Sequence, residues 1–256
     1  MRTSWQAVEA SLESHFRNAS VDESHGIRHA QAVLAHVEKA IEADPDVAIN
    51  EQTTLALRLA ALLHDADDRK YFGTKQPNAL SNAKRIMNDA GIDPAVRDDA
   101  LSMISFVSCS QNGNNAPPEA YKRPEILWPR WADRLEATGA IGVVRCYQYN
   151  LARGEPLSND DTPRPQSESA VWEVATESRF AAYQESGGSS ASMMDHYFDK
   201  LLQCARPPAS IVRNSYLESE ASRRCGALVK VCLAFGSTGV VPVSLIEEMS
   251  LSLKDS

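Results

Sequence analysis

At 256 residues and 28.0 kDa, the chain is long enough for one sizeable domain, or one domain with an appendage. Hydrophobic content of 43% and charged content of 23% are those of a soluble globular protein. A formal charge of −8 and a pI of about 5.3 argue against a nucleic-acid polymer or an anionic membrane as main partner. They leave room for a small phosphorylated ligand, which needs only local positive charge.

Residues 4–18 read as a first helix, with Ser4 as cap and Trp5, Val8, Leu12 and Phe16 spaced for one face. His15, beside Phe16, reads as a surface or packing histidine. Asn18 to Ser24 is a polar loop. A second helix is expected from His25 to Ala43, stopped by Asp44-Pro45. His25 and His29 are four apart, so on a helix they share a face, which Val33 and Val37 continue into the core. His36 lies two turns beyond His29 and reads as structural.

The third helix, Glu51 to His64, is rich in Leu and Ala, and Leu55, Leu59, Leu62 and Leu63 make it nearly a buried helix. It ends abruptly in His64-Asp65-Ala66-Asp67-Asp68-Arg69-Lys70. Charges at the end of a buried run are expensive unless paired or bound to a metal. His64 and Asp65 offer one imidazole nitrogen and one carboxylate to a divalent ion. The plainer alternative is a solvated, self-paired turn.

Tyr71 to Pro77 reads as a loop and Asn78 to Ala90 as a helix closed by Gly91. A further helix starts at Asp93-Pro94 and runs to about Val107. Ser108 to Pro118 is a long polar loop, either a lid or plain surface. Asp133 then opens a helix in apolar company (Trp131, Leu135, Ile141), and an acid there needs a partner. Ala137, Gly139, Ala140 and Gly142 suit close helix packing. Arg145 either pairs with an acid or reaches a substrate phosphate.

Gly154 to Ser169, with Pro156, Pro163 and Pro165, reads as a linker. Val171 to Gln184 is expected to be helical, with Gly187-Gly188-Ser189-Ser190 as a flexible join. Met193 to Cys204 and Ser210 to Phe235 are expected helices, and a short amphipathic tail follows. No repeat, no Gly-rich phosphate loop and no strand alternation is present. The expected architecture is all-α, divided as a core over 1–153, a variable linker over 154–190, and C-terminal helices over 191–256 packing on the core. The five cysteines (Cys109, Cys146, Cys204, Cys225, Cys232) are scattered, with no C-x-x-C pair, and read as reduced thiols. No apolar stretch is long enough to span a bilayer, and Met1 to Trp5 lacks a signal-peptide apolar region. The expected compartment is the cytoplasm.

Taken together, the chain offers a histidine, a His-Asp doublet and an aspartate, each on a separate expected helix. This resembles the HD-domain metal-dependent phosphohydrolase superfamily, recognised by the pattern H…HD…D, here His29, His64-Asp65 and Asp133. His25 to Val33 matches the H-x-x-x-H-x-x-x-V motif of the bacterial-type members. Ala132 to Gly142 matches their A-D-R-L-[DE]-A-x-G-A-I-G stretch. That subgroup includes nucleotide pyrophosphohydrolases. The resemblance covers roughly residues 20 to 150, and His196 matches a late position that looks structural.

The resemblance implies an all-α HD helical bundle around one metal site, with a C-terminal helical extension. His29, His64, Asp65 and Asp133 would hold the ion. Two imidazoles and two carboxylates suit one divalent transition metal, Mn²⁺ first, with Co²⁺, Ni²⁺, Fe²⁺, Zn²⁺ or Mg²⁺ as alternatives. In related proteins an acid three residues beyond the doublet's aspartate orients or activates water. Asp68 holds that place, where the family often has the longer Glu, and Asp67 is its competitor. His25 would stand at the mouth of the site as a phosphate contact or proton donor, or else simply stabilise the helix start. Arg69, Lys70, Arg134 and Arg145 are the candidate substrate cations.

The implied activity is hydrolysis of a nucleoside triphosphate to monophosphate and pyrophosphate. A 5′-nucleotidase comes second, and a catalytically silent nucleotide-binding module third. Di-iron oxygenases of this fold need further histidines between the doublet and the last aspartate, and none lies between Asp65 and Asp133. The expected partner is a small phosphorylated molecule, a nucleotide before others, with no nucleic-acid polymer and no membrane; a homodimer stays open.

Overall fold

The computed structural model describes residues 4–22, 25–44, 47, 49–73 and 79–253. The described residues form helices and connecting turns, with no strand among them, so the all-α expectation holds. None of their helices is long and apolar enough to cross a membrane. The chain divides into two compact units. The first is Met1–Asp133 with Ala209–Leu217, and the second is Arg134–Pro208 with Glu218–Ser256. The boundaries read from composition, near 153 and 190, both fall inside the second unit. Composition marks where the chain is polar and proline-rich, whereas compactness follows which helices bury each other.

In the first unit, α1 (Ser4–Asn18) buries Val8, Leu12 and Phe16, the face expected from its spacing. The helix α2 (Ile27–Ala43) starts later than expected. Gly26 is its N-cap, so His25 stands outside the helix, in a turn closed by its N–H on the Asp22 carbonyl at 3.1 Å. Gly26 takes the extended backbone of an N-cap residue, so the helix starts two residues after the expected His25. Pro45, assigned as the stop after this helix, lies outside the described residues.

The helix α3 (Glu51–Leu63) is started by Asn50, whose side chain accepts from the Thr53 N–H at 2.8 Å. Of its last seven residues all but Arg58 are buried, with Leu59 to Leu63 wholly enclosed. The expected loop after the doublet begins instead with a helical turn, α4 (Arg69–Phe72), capped by Asp68. The rest of that expected loop, Thr74 to Pro77, lies outside the described residues, as does Asn78. The helix α5 (Ser81–Asp89) ends at Gly91, which takes a left-handed φ of 70°. Then α6 (Pro94–Ser105) begins on Asp93, which caps the Ala95 and Val96 N–H groups.

Between 108 and 127 the chain is less loop-like than its composition. It forms a short α7 (Cys109–Asn112) and 3₁₀ turns at Pro118–Tyr121 and Pro124–Leu127. The buried Arg130 ties this segment down, donating to the Phe106 carbonyl at 2.6 Å and the Asn115 carbonyl at 2.7 Å. The helix α8 (Trp128–Glu136) follows, so Asp133 lies within a helix rather than opening one.

In the second unit, α9 (Gly139–Arg153) restarts after a break at Ala137-Thr138. The glycines here serve that break. Gly139 has φ +69°, and a Cβ on Gly142 would stand 2.3 Å from the Ala137 carbonyl carbon. The segment expected as one helix over 171–184 is two, α10 (Glu168–Val174) and α11 (Glu177–Glu185), because Thr176 caps the second through the Arg179 N–H. Next come α12 (Met193–His196), a π-helical turn at Tyr197–Leu201 and α13 (Leu202–Ala205). The expected helix over 210–235 is also interrupted: α14 (Ala209–Val212), part of the 209–217 segment that belongs to the first unit, ends at Arg213, with φ +46°, before α15 (Ser215–Thr238). Asn214 explains the break. Its amide donates to the Ala40 carbonyl at 2.8 Å and its oxygen accepts from the Leu217 N–H at 3.0 Å. The helix α16 (Val243–Ser252) closes the unit, and Ile246 packs with Tyr197, Phe198 and Phe235 in its apolar core.

Candidate metal centre

Three helix segments deliver the donors. α2 carries His29, the turn after α3 carries His64 and Asp65, and α8 carries Asp133. His29 Nε2 lies 3.2 Å from His64 Nε2 and 3.2 Å from Asp133 Oδ1, and the His64 Nε2 to Asp133 Oδ1 distance is 3.6 Å. Asp65 Oδ2 stands 3.4 Å from His64 Nε2 and 3.7 Å from His29 Nε2. Ligands about 2.1 Å from one ion, at tetrahedral or octahedral angles, stand roughly 3.0–3.4 Å apart. The donor set therefore fits a first-row divalent ion in size as well as in chemistry.

The tautomer needed is already fixed. His64 Nδ1–H donates to the Ala61 carbonyl at 2.8 Å, using an orphan carbonyl in the last turn of α3 and turning Nε2 to the site. The rings of His64 and His29 are nearly enclosed, at 1% and 5% side-chain exposure. The carboxylates of Asp65 and Asp133 keep 18% and 27%, so a ligand approaches from their side.

The charges answer one another. Burial works against the ionised form of each group. For His64, the carboxylates of Asp65 and Asp133 outweigh burial and raise its pKa well above 6.5. For Asp65, His64 outweighs burial with help from His29 and His25, and the pKa is held at about 2. Asp133 is held well below 3.8 by its bonds to His29 and His64. The site is built to surround positive charge.

A second group adjoins the first. The first group is His29, His64 and Asp133; His25, Asp65 and Asp68 likewise bring donor atoms within 4.8 Å of one another, and Asp65 links the two through its contacts with His29 and His64. Although it lies outside α2, His25 reaches the site from the turn before it. Its Nδ1 faces Asp22 at 3.7 Å, and its Nε2 accepts from the Lys70 ammonium at 3.3 Å. Tyr71 donates a hydrogen bond to Asp22 from the other side.

No family model matches the chain. It is 33% identical over 224 residues to the uncharacterised protein L803 of Acanthamoeba polyphaga mimivirus, covering 82% of this chain and 88% of L803. Its fold is that of an HD-superfamily hydrolase from Bacillus thuringiensis (TM-score 0.55, 18% identity, 91% of this chain and 96% of that one). A Lactobacillus plantarum protein (TM-score 0.62, 19% identity, 93% and 98%) and YpgQ of Bacillus subtilis (0.54, 18%, 93% and 100%) share it. The chain therefore belongs to one family with L803 and has the fold of these proteins.

Within this candidate centre the structure separates the two neighbouring aspartates. Asp67 turns to α5, where its carboxylate accepts from the Asn82 and Ala83 N–H groups, each at 2.9 Å. Leu80, the N-cap residue of α5, has no side-chain acceptor, and Asp67 substitutes for it. Asp68 spends Oδ1 on the Lys70 N–H at 2.9 Å and stays in the group with His25 and Asp65.

The four candidate cations are placed differently. Lys70 joins the HD centre through His25. Arg69 is exposed at the start of α4. Arg134 follows Asp133 on α8, turned about 100° around the helix, and is buried. Arg145 donates to the Glu136 carbonyl at 3.0 Å, closing the break between α8 and α9. Sequence reasoning missed three residues that support the HD turn: His15, Asp22 and Tyr71. Their contacts join segments distant in the chain, which no local spacing announces.

Proposed function

We propose that the protein is a metal-dependent hydrolase of phosphate esters or anhydrides, acting on a nucleoside triphosphate to give the monophosphate and pyrophosphate. The observation that carries the reading is the convergence of His29, His64, Asp65 and Asp133, with Asp68, His25 and Lys70 beside them. The first four would hold one divalent ion, Mn²⁺ being the first choice. When bound, such an ion polarises the phosphoryl group and makes a water acidic enough to attack at neutral pH.

The chain's own groups supply the rest. Asp68 accepts the proton of the attacking water and fixes its direction. The Lys70 ammonium neutralises phosphate oxygens. His25, with Nε2 on Lys70 and Nδ1 toward Asp22, adds a second donor at the mouth when a phosphate takes the place of the lysine contact. Burial of the two histidine rings keeps water from competing on that side of the donor set.

A 5′-phosphomonoesterase is the second reading. It is favoured by the engagement of Arg145 with the Glu136 carbonyl, which leaves Lys70 and His25 as the cations beside the donors and suits a short phosphate chain. Incubation with Mn²⁺ and a panel of nucleoside mono-, di- and triphosphates, with products separated by chromatography, tests both. Pyrophosphate from a triphosphate, lost in Asp65→Ala, supports the first. Orthophosphate from a monophosphate replaces it with the second. No turnover of any member overturns both as nucleotide readings.

A further inference from the structure

The turn that carries the HD doublet hangs off the end of α3 and must be held from outside. Two overlapping turns build it, with Ala66 N–H on the Leu63 carbonyl at 3.0 Å and Asp68 N–H on the Asp65 carbonyl at 3.1 Å. Ala66, between the two functional aspartates, is wholly buried. A buried carbonyl needs a donor, and no neighbour along this turn supplies one to Ala66 in the helical pattern. His15 of α1 does: its Nε2 lies 2.9 Å from the Ala66 oxygen, across 51 residues of sequence. The same imidazole stacks on Phe72, with centroids 4.2 Å apart and planes at 14°. Phe72 ends α4, the turn of helix that bears Lys70.

We propose that His15 is a positioning residue for the metal centre. Its Nε2–H fixes the Ala66 carbonyl, and so the directions in which Asp65 and Asp68 leave the backbone. Its ring seats α4, and so places Lys70. One side chain thereby registers a metal donor, the water-directing carboxylate and a phosphate cation against α1. The role rests on the reading of this site as a metal-dependent hydrolase.

Two substitutions separate the two contacts. His15→Phe keeps a ring for Phe72 and loses the donor; His15→Gln keeps an amide donor near the place of Nε2 and loses the stacking. Mn²⁺ affinity is read by calorimetry, turnover as kcat and KM separately, and folding by Tm. Loss of an outer support of this kind weakens metal binding or activity by about tenfold or more. The expected result is Mn²⁺ affinity and kcat about tenfold lower in His15→Phe with KM little changed, and in His15→Gln an Mn²⁺ affinity within about threefold of wild type with KM raised, because the ring under α4 is lost. Should His15→Phe fail to fold, His15→Gln alone decides, because it must retain Mn²⁺ affinity despite losing the ring. Wild-type affinity in folded His15→Phe overturns the proposal, as does an equal loss in both variants. Wild-type protein that binds Mn²⁺ but turns over no nucleotide removes the nucleotide reading and leaves the affinity comparison to judge His15. Wild-type protein that binds no Mn²⁺ overturns both.

Discussion

Asp67 and Asp68 are neighbours of identical chemistry, and exchanging either for a neutral residue should produce opposite phenotypes. Asp67→Ala removes the acceptor of two backbone N–H groups at the start of α5, both at 2.9 Å. A charge-assisted hydrogen bond contributes about 1.5–3 kcal/mol, and loss of a helix cap costs about 0.5–2 kcal/mol. Asp67 is partly open to water, which re-satisfies some of what is lost. The expected destabilisation is therefore about 2 kcal/mol, read as a lower urea midpoint by circular dichroism. Asp68→Asn keeps the acceptor for the Lys70 N–H, because asparagine caps as well as aspartate, so stability should change by less than about 0.5 kcal/mol. Its loss of a carboxylate base should lower kcat by about a hundredfold or more. An Asp67→Ala protein as stable as wild type, or an Asp68→Asn protein with normal kcat, refutes the division of labour between them.

Mn²⁺ binding should tighten as pH rises above 6.5, because the raised pKa of His64 means that a proton must leave before the ion enters; affinity independent of pH contradicts this. The same groups set the stability of the metal-free protein. The depressed pKa values of Asp65 and Asp133 contribute stability present above about 3.8 and lost as pH falls toward 2. The raised pKa of His64 contributes stability below 6.5 that is lost as pH rises through its folded value. Thermal melts across pH should show both flanks, and added metal should remove the alkaline one. Lys70→Met should raise KM roughly tenfold by deleting a phosphate donor, with kcat less affected; an unchanged KM moves the phosphate elsewhere. Gly142→Ala should cost about 2 kcal/mol or more through overpacking, since the new Cβ falls 2.3 Å from the Ala137 carbonyl; a neutral effect in denaturant melts contradicts that packing.

The candidate donors were legible because each is marked locally. An apolar helix that ends on His64-Asp65, and an aspartate amid Trp131 and Leu135, are both costly unless something positive lies between them. The helical class was legible from the same periodicity. What stayed hidden depends on contacts across the chain. Gly26 as a cap moves His25 off its helix, and nothing in the apolar spacing of α2 records this. Asp67 and Asp68 differ only in what stands opposite, and α5 stands opposite Asp67. His15 looked like a packing residue until the Ala66 carbonyl was placed against it. Arg145 offered two roles, and the break after Glu136 gave it a third, as donor to that residue's carbonyl.

The central claim is that His29, His64, Asp65 and Asp133 act together as one metal site, and the most direct measurement is the stoichiometry of Mn²⁺ binding by calorimetry in wild type and Asp133→Ala. The account expects one ion per wild-type chain and none held at comparable affinity by the variant, with its fold intact by circular dichroism. Binding that survives the substitution unchanged, or wild-type protein that takes up no divalent ion, would contradict it.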